Sequence, residues 1–211
     1  RKRYYISMAD PTSLTAYNQD QVDELIRSLT QSKGGERTLV WAQLLALGVA
    51  GLPSLFVALD QLTGYARYQV MQLIEAIVAR QAPMARTGLR WAQRHRPLLL
   101  GQTRAFLVYC WGQTLTRLQH QDLTELFVQF EDSHPLVRLT VLQVMARLLD
   151  ASYCDELSAF LRYAISDPSP QVRQACKQLA RRLGLRLPQP FYLKLKDVFV
   201  LGAPAKMESH L

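Results

Sequence analysis

The side chains able to carry chemistry are few and scattered. The four histidines, His95, His120, His134 and His210, have no His-x-x-x-His spacing. The three cysteines, Cys110, Cys154 and Cys176, have no Cys-x-x-Cys spacing. No metal site is therefore expected. Neither a glycine-rich phosphate cradle nor a nucleophile elbow is present. Asp155 and Glu156 open a helical pattern, where acids favour the helix dipole; paired catalytic carboxylates are the alternative reading. His134 precedes Pro135 in a turn and is expected to cap a helix. Each cysteine falls on an apolar helical stripe, which predicts reduced core thiols in a cytoplasmic type of compartment, with a reactive thiol as the alternative. The chain is expected to be non-catalytic and to need no cofactor.

What does recur is arginine. Arg37, Arg67, Arg104, Arg138 and Arg173 stand at spacings of 30, 37, 34 and 35 residues. Behind them lie apolar residues at helical spacing: Val70, Leu73, Ile74 and Ile77 behind Arg67, and Val141, Val144, Met145 and Leu148 behind Arg138. Arg104 leads Leu107, Cys110 and Trp111, and Arg173 leads Cys176, Leu179, Ala180 and Leu183. One face of each such helix is predicted to be buried. Shorter apolar patterns precede these helices, in GLPSLFVALDQL, QDLTELFVQF and CDELSAFLRYAI. A helix pair recurring every 30 to 37 residues is a solenoid signature, because neither helix buries its stripe alone.

The turns carry the specific signal. DSHPLVR and DPSPQVR place aspartate, proline and Val-Arg in register. Ser169 is a plausible N-cap, and Pro170 suits a first helical position. An arginine in a first helical turn opposes the macrodipole and needs another reason to recur. A structural ladder of Asp132, Arg138, Asp167 and Arg173 supplies one, through charge-assisted hydrogen bonds in the same or the adjacent repeat. Arg67 and Arg104 lack the matching aspartate, so the ladder is expected to be incomplete.

The Asp-x-x-Pro-x-Val-Arg turn and the opening GVAGLPSL resemble HEAT repeats over roughly residues 17–184. The short period is closest to the HEAT-like repeats of phycobilin lyase subunits and related phycobilisome-handling proteins. This implies an all-α fold, a right-handed superhelical solenoid of about five helix pairs. Residues 1–16 are expected to form an extended arm, and residues 185–211 a capping or docking tail. The resemblance implies a scaffold or adaptor that binds a partner protein on a concave face lined by the second helices. Its narrower form is a phycobiliprotein lyase or chaperone-type subunit. The candidate contacts on that face are Tyr68, Gln72, Tyr109, Gln113, Gln143, Gln174, Gln178 and Arg181. An amide-rich, aromatic row suits adaptable hydrogen bonding to protein, with solvated helix faces as the plain alternative.

The formal net charge of +8 is unevenly placed. Residues 80–96 hold five arginines and no acid, and residues 168–196 hold seven Lys or Arg and no acid. On a helical wheel Arg86, Arg90 and Arg94 fall together on the side opposite Ala85, Gly88, Leu89 and Ala92, with Trp91 on the flank. Such patches suit an acidic protein face, nucleic acid or an anionic membrane surface. The alternative functions are therefore a nucleic-acid-binding HEAT protein of the DNA glycosylase-like kind, and a membrane-proximal adaptor using RKRYY. Leu39 to Leu59 runs uncharged for about the 20 residues a membrane helix needs, but Gly48, Gly51 and Pro53 are expected to split it into two helices.

Overall fold

The fold was obtained as a computed structural model. It describes residues 19–94, 96–116, 119–149 and 154–186, apart from the side chains of Gln19, Thr87, Trp91, Arg96, His120, Cys154, Asp155 and Glu156. The arm expected at 1–16 lies outside the described residues. So does the tail expected at 185–211, save Leu185 and Arg186.

The described residues are all-α, with ten α-helices and two short 3-10 turns. They fall into two compact units, residues 1–118 and 119–211. The first unit holds α1 (Gln19–Gln31), α2 (Gly34–Ala46), α3 (Leu52–Gln61), α4 (Gly64–Arg80), α5 (Ala82–Arg94) and α6 (Gly101–Gln113). The second holds α7 (His120–Phe130), α8 (Pro135–Leu148), α9 (Cys154–Ala164) and α10 (Pro170–Arg182). Odd and even helices pair within each unit: α1 with α2, α3 with α4, α5 with α6, α7 with α8, and α9 with α10. Pairs also pack on their neighbours, like on like. In the first unit α1 meets α3 and α3 meets α5, while α2 meets α4 and α4 meets α6. In the second, α8 packs on α10.

Apolar periodicity accounts for this arrangement. Leu52, Leu55, Phe56 and Leu59 of α3 are fully buried, as are Leu73 and Ile74 of α4 and Leu107 of α6. Each such side chain stabilises by about 1.5–3 kcal/mol relative to exposure. In the second unit Leu126, Val141, Met145, Leu157, Leu161 and Val172 are fully buried. Phe160 of α9 stacks on Phe127 at 4.6 Å and meets Phe130 edge-on at 4.8 Å. That geometry uses the ring quadrupole as well as the buried area.

The helix starts are where local sequence decides most. α2 and α4 begin at Gly34 and Gly64, with φ of +56° and +54°, directly after extended Lys33 and Thr63. A side chain would be strained in that left-handed conformation. α8 and α10 begin instead at Pro135 and Pro170, whose fixed φ suits the first helical turn. His134 caps α8, its Nδ1 accepting the Leu136 N–H at 3.3 Å. Ser169 stands at the N-cap of α10, but its side chain makes no cap hydrogen bond. Asp167 does the work there by accepting the Ser169 N–H at 2.8 Å.

The uncharged stretch from Leu39 to Leu59 is divided at Leu47–Gly51, and α2 and the following helix meet at 94°. Most of its large side chains lie in the core. Among the described residues no single helix is long and apolar enough to cross a membrane.

Candidate functional site

The repeat arginines share one structural place. Arg37, Arg67, Arg104, Arg138 and Arg173 are each the fourth residue of an even-numbered helix. Three of them turn back on the loop that precedes their own helix, and Arg67 turns back on the last turn of α3. Arg138 Nη1 donates to the carbonyls of Asp132 at 2.7 Å and Ser133 at 3.0 Å. Arg173 Nη1 donates in the same way to Asp167 at 2.6 Å and Pro168 at 2.8 Å. Arg104 reaches the Leu99 carbonyl at 2.6 Å, and Arg67 the Leu59 carbonyl at 2.6 Å. For Arg104, Arg138 and Arg173 this explains why a cation recurs where the helix dipole opposes it: it satisfies carbonyls that a tight turn leaves without partners.

The other edge of the guanidinium reaches the next helix pair. Arg138 binds Asp167 with two hydrogen bonds, Nε to Oδ2 at 2.6 Å and Nη2 to Oδ1 at 3.0 Å. Arg67 Nη2 donates to Thr103 Oγ1 at 2.9 Å, and Arg37 Nη2 to the Tyr65 hydroxyl at 2.9 Å. The Arg37 guanidinium also lies 5.1 Å from the centre of the Tyr65 ring. Arg138 thus ties its own turn to the turn before α10, while Arg37 and Arg67 reach the first turns of α4 and α6. Only the acceptor changes, from phenol to hydroxyl to carboxylate.

Asp167 is the most heavily used of these acceptors, taking the Ser169 N–H as well as the Arg138 fork. Asp132 forms the same local turn, its Oδ1 accepting the His134 N–H at 2.8 Å. The Asp167 hydrogen bond raises the Arg138 pKa above its usual range, with burial pulling the other way. Sequence reasoning missed Thr103 and Tyr65 as acceptors. It also missed Asp60, in the last turn of α3, whose Oδ2 accepts the Leu100 N–H before α6 at 2.9 Å.

All eight residues of the amide and tyrosine row are exposed. In the first unit Tyr68 and Gln72 lie on α4, where Gln72 Nε2 donates to the Tyr68 hydroxyl at 2.9 Å. Tyr109 and Gln113 lie on α6. Tyr109 stacks on Phe106 with ring centres 6.0 Å apart, so its ring is held while 38% of the residue stays in solvent. In the second unit Gln143 lies on α8, and Gln174, Gln178 and Arg181 on α10. The row is thus brought to the even-numbered helices of each unit.

The three arginines of α5 are not equivalent. Ala85, Gly88, Leu89 and Ala92 are buried as the wheel places them. At Gly88 a Cβ would lie 2.9 Å from the Val49 carbonyl, so only glycine admits this approach. Arg90 and Arg94 are exposed, but Arg86 is half-buried and Nη2 donates to the Thr114 carbonyl at 3.3 Å. The Trp91 side chain is outside the described residues.

Cys110 and Cys176 are buried free thiols. Burial pushes the Cys110 thiol well above its usual range, with Glu75 adding to the effect. Burial also lifts Cys176 to about 12, Asp167 adding and Lys177 opposing. The Cys176 thiol donates to the Leu161 carbonyl at 3.4 Å. Both are held as neutral thiols, the form that is not nucleophilic. Among the described residues no three His, Cys, Asp or Glu side chains gather as metal ligands. Compared with known proteins, the chain matches no family model, no curated protein and no solved structure.

Proposed function

We propose that the chain is a HEAT-type helical-repeat scaffold, a right-handed solenoid of about five helix pairs, that grips a partner protein with the exposed row on its even-numbered helices. The observation that supports the repeat is the shared arginine: fourth in α2, α4, α6, α8 and α10, clamping its own turn in the last three and the next pair through Arg37, Arg67 and Arg138. Such a frame keeps helix faces in fixed relation without using their outward side chains. What supports gripping by that row is its chemistry. Tyrosine offers large contact area at small entropic cost, and glutamine both donates and accepts. The narrower form implied by the HEAT resemblance is a lyase or chaperone-type subunit acting on a phycobiliprotein. Mixing the protein with free bilin tests it: an unchanged absorbance spectrum removes that form.

The general reading is tested with Tyr109→Ala/Gln143→Ala in the full chain, by affinity capture of the native partner followed by titration. Both residues are exposed, so each change should alter folding stability by only about 0.5 kcal/mol. Truncating an aromatic near an interface centre costs about 2 kcal/mol or more of binding. Full binding by this variant, together with loss in Arg86→Ala/Arg90→Ala/Arg94→Ala, would move the working surface to the odd-numbered helices and refute the assignment.

A further inference from the structure

Charge in the second unit is sorted by helix. α8 and α10 together carry six Lys or Arg and no Asp or Glu, whereas α7 and α9 carry four acids and one arginine. Four of the six cations are engaged in the fold, Arg147 among them. Arg138 and Arg173 clamp their turns, and Arg182 donates to the Ala146 carbonyl in the last turn of α8. Lys177 and Arg181, one helical turn apart on α10, are exposed and have no partner among the described residues. Exposed Gln174 and Gln178 flank them, and exposed Gln143 lies on the packed α8.

We propose that this face of α10, with Gln143 of α8, is the docking place for an acidic, extended segment of the partner protein. The inference rests on the scaffold reading above and names the partner's chemistry. Lys177 and Arg181 meet carboxylates. The glutamine amides between them pair with main-chain N–H and C=O groups, which a peptide presents continuously. A nucleic-acid groove would instead need a longer run of free cations and aromatic side chains for stacking. α10 has no exposed large hydrophobic residue, so it also lacks the side chains that enter a bilayer surface. The absence of acids on α8 and α10 removes the competing internal ion pairs that would otherwise occupy both cations.

The test titrates the full-length protein with a fluorescein-labelled peptide of alternating glutamate and alanine. Oligothymidylate of the same charge and vesicles containing phosphatidylserine serve as the other arms. Lys177→Glu/Arg181→Glu should weaken peptide binding by about tenfold and flatten its dependence on salt. Arg90→Glu, in the other unit, should leave it unchanged. Circular dichroism melts establish that each variant is folded. Equal peptide binding by wild type and Lys177→Glu/Arg181→Glu overturns the proposal. Tighter binding of oligothymidylate or of vesicles than of peptide does so too. Capture of the native partner separates the two readings. A partner retained by Lys177→Glu/Arg181→Glu but lost by Tyr109→Ala/Gln143→Ala sinks the acidic-segment inference and leaves the scaffold standing.

Discussion

Replacing Asp167 with alanine should damage the second unit far more than a typical charged position would. Arg138 is 9% exposed and Asp167 7%, so the pair is largely withdrawn from water. The variant removes both acceptors of the Arg138 fork and the acceptor of the Ser169 N–H. An uncompensated buried charge of this kind costs about 3–5 kcal/mol. Arg138→Met should cost a similar amount, because it leaves the Asp167 carboxylate without its cation and the carbonyls of Asp132 and Ser133 without their donor. The double variant Arg138→Met/Asp167→Ala removes both charges at once. It retains only the losses at the turn, roughly 1 kcal/mol for each hydrogen bond. The coupling between the two positions should therefore reach about 3 kcal/mol or more. Urea titrations of the four proteins, followed by far-UV circular dichroism with m-values compared, measure it. Single losses under about 1 kcal/mol, or additivity within about 0.5 kcal/mol, would refute the claim that this pair holds adjacent helix pairs together.

Two further outcomes are expected. Cys176 ionises near 9.0 without its surroundings and at about 12 in the fold, so its contribution is intact below pH 9 and fades as pH rises toward 12. Melting temperature above pH 9 should fall more steeply for wild type than for Cys176→Ala, and equal slopes would rule out the thiol as a cause. Arg86→Ala should lose about 1 kcal/mol, through the Thr114 carbonyl and the packing of its stem, whereas Arg90→Ala should stay within about 0.5 kcal/mol. Chemical denaturation of the two variants separates these, and matching losses would contradict the different burial of the two arginines.

The helices were legible in the sequence because apolar periodicity reports burial directly. Leu52, Leu55, Phe56 and Leu59 read as one stripe and are one stripe. The recurring arginine was legible as a position, but only partly as a set of contacts. Arg138 and Asp167 share a motif that can be seen twice. Thr103 and Tyr65 take the same role with unrelated side chains, since a guanidinium accepts any oxygen at the right distance. Spacing along a chain cannot reveal an acceptor 28 or 36 residues away when its type is free to vary. Arg86 shows the complementary failure. A helical wheel gives direction from the axis, but not the neighbouring helix end that half-buries an outward side chain. The row on the even-numbered helices was readable as exposed because every member is polar or aromatic at a position opposite the stripe.

The arginine clamps also set where this chain can grow. Arg138 and Arg173 both reach carbonyls five and six residues back, and both stand fourth in their helices. The segment from turn to arginine therefore has a fixed length, and an added residue there would pull the guanidinium off its carbonyls. Yet the distance between successive arginines ranges from 30 to 37 residues. The variation is absorbed elsewhere, in helix length, as in the 17 residues of α4 against 13 in α2, and in the connections. Insertions, tags or grafted loops should be rejected between Asp132 and Arg138 and between Asp167 and Arg173. Each helix pair of the second unit is in this sense a fixed joint attached to an adjustable arm.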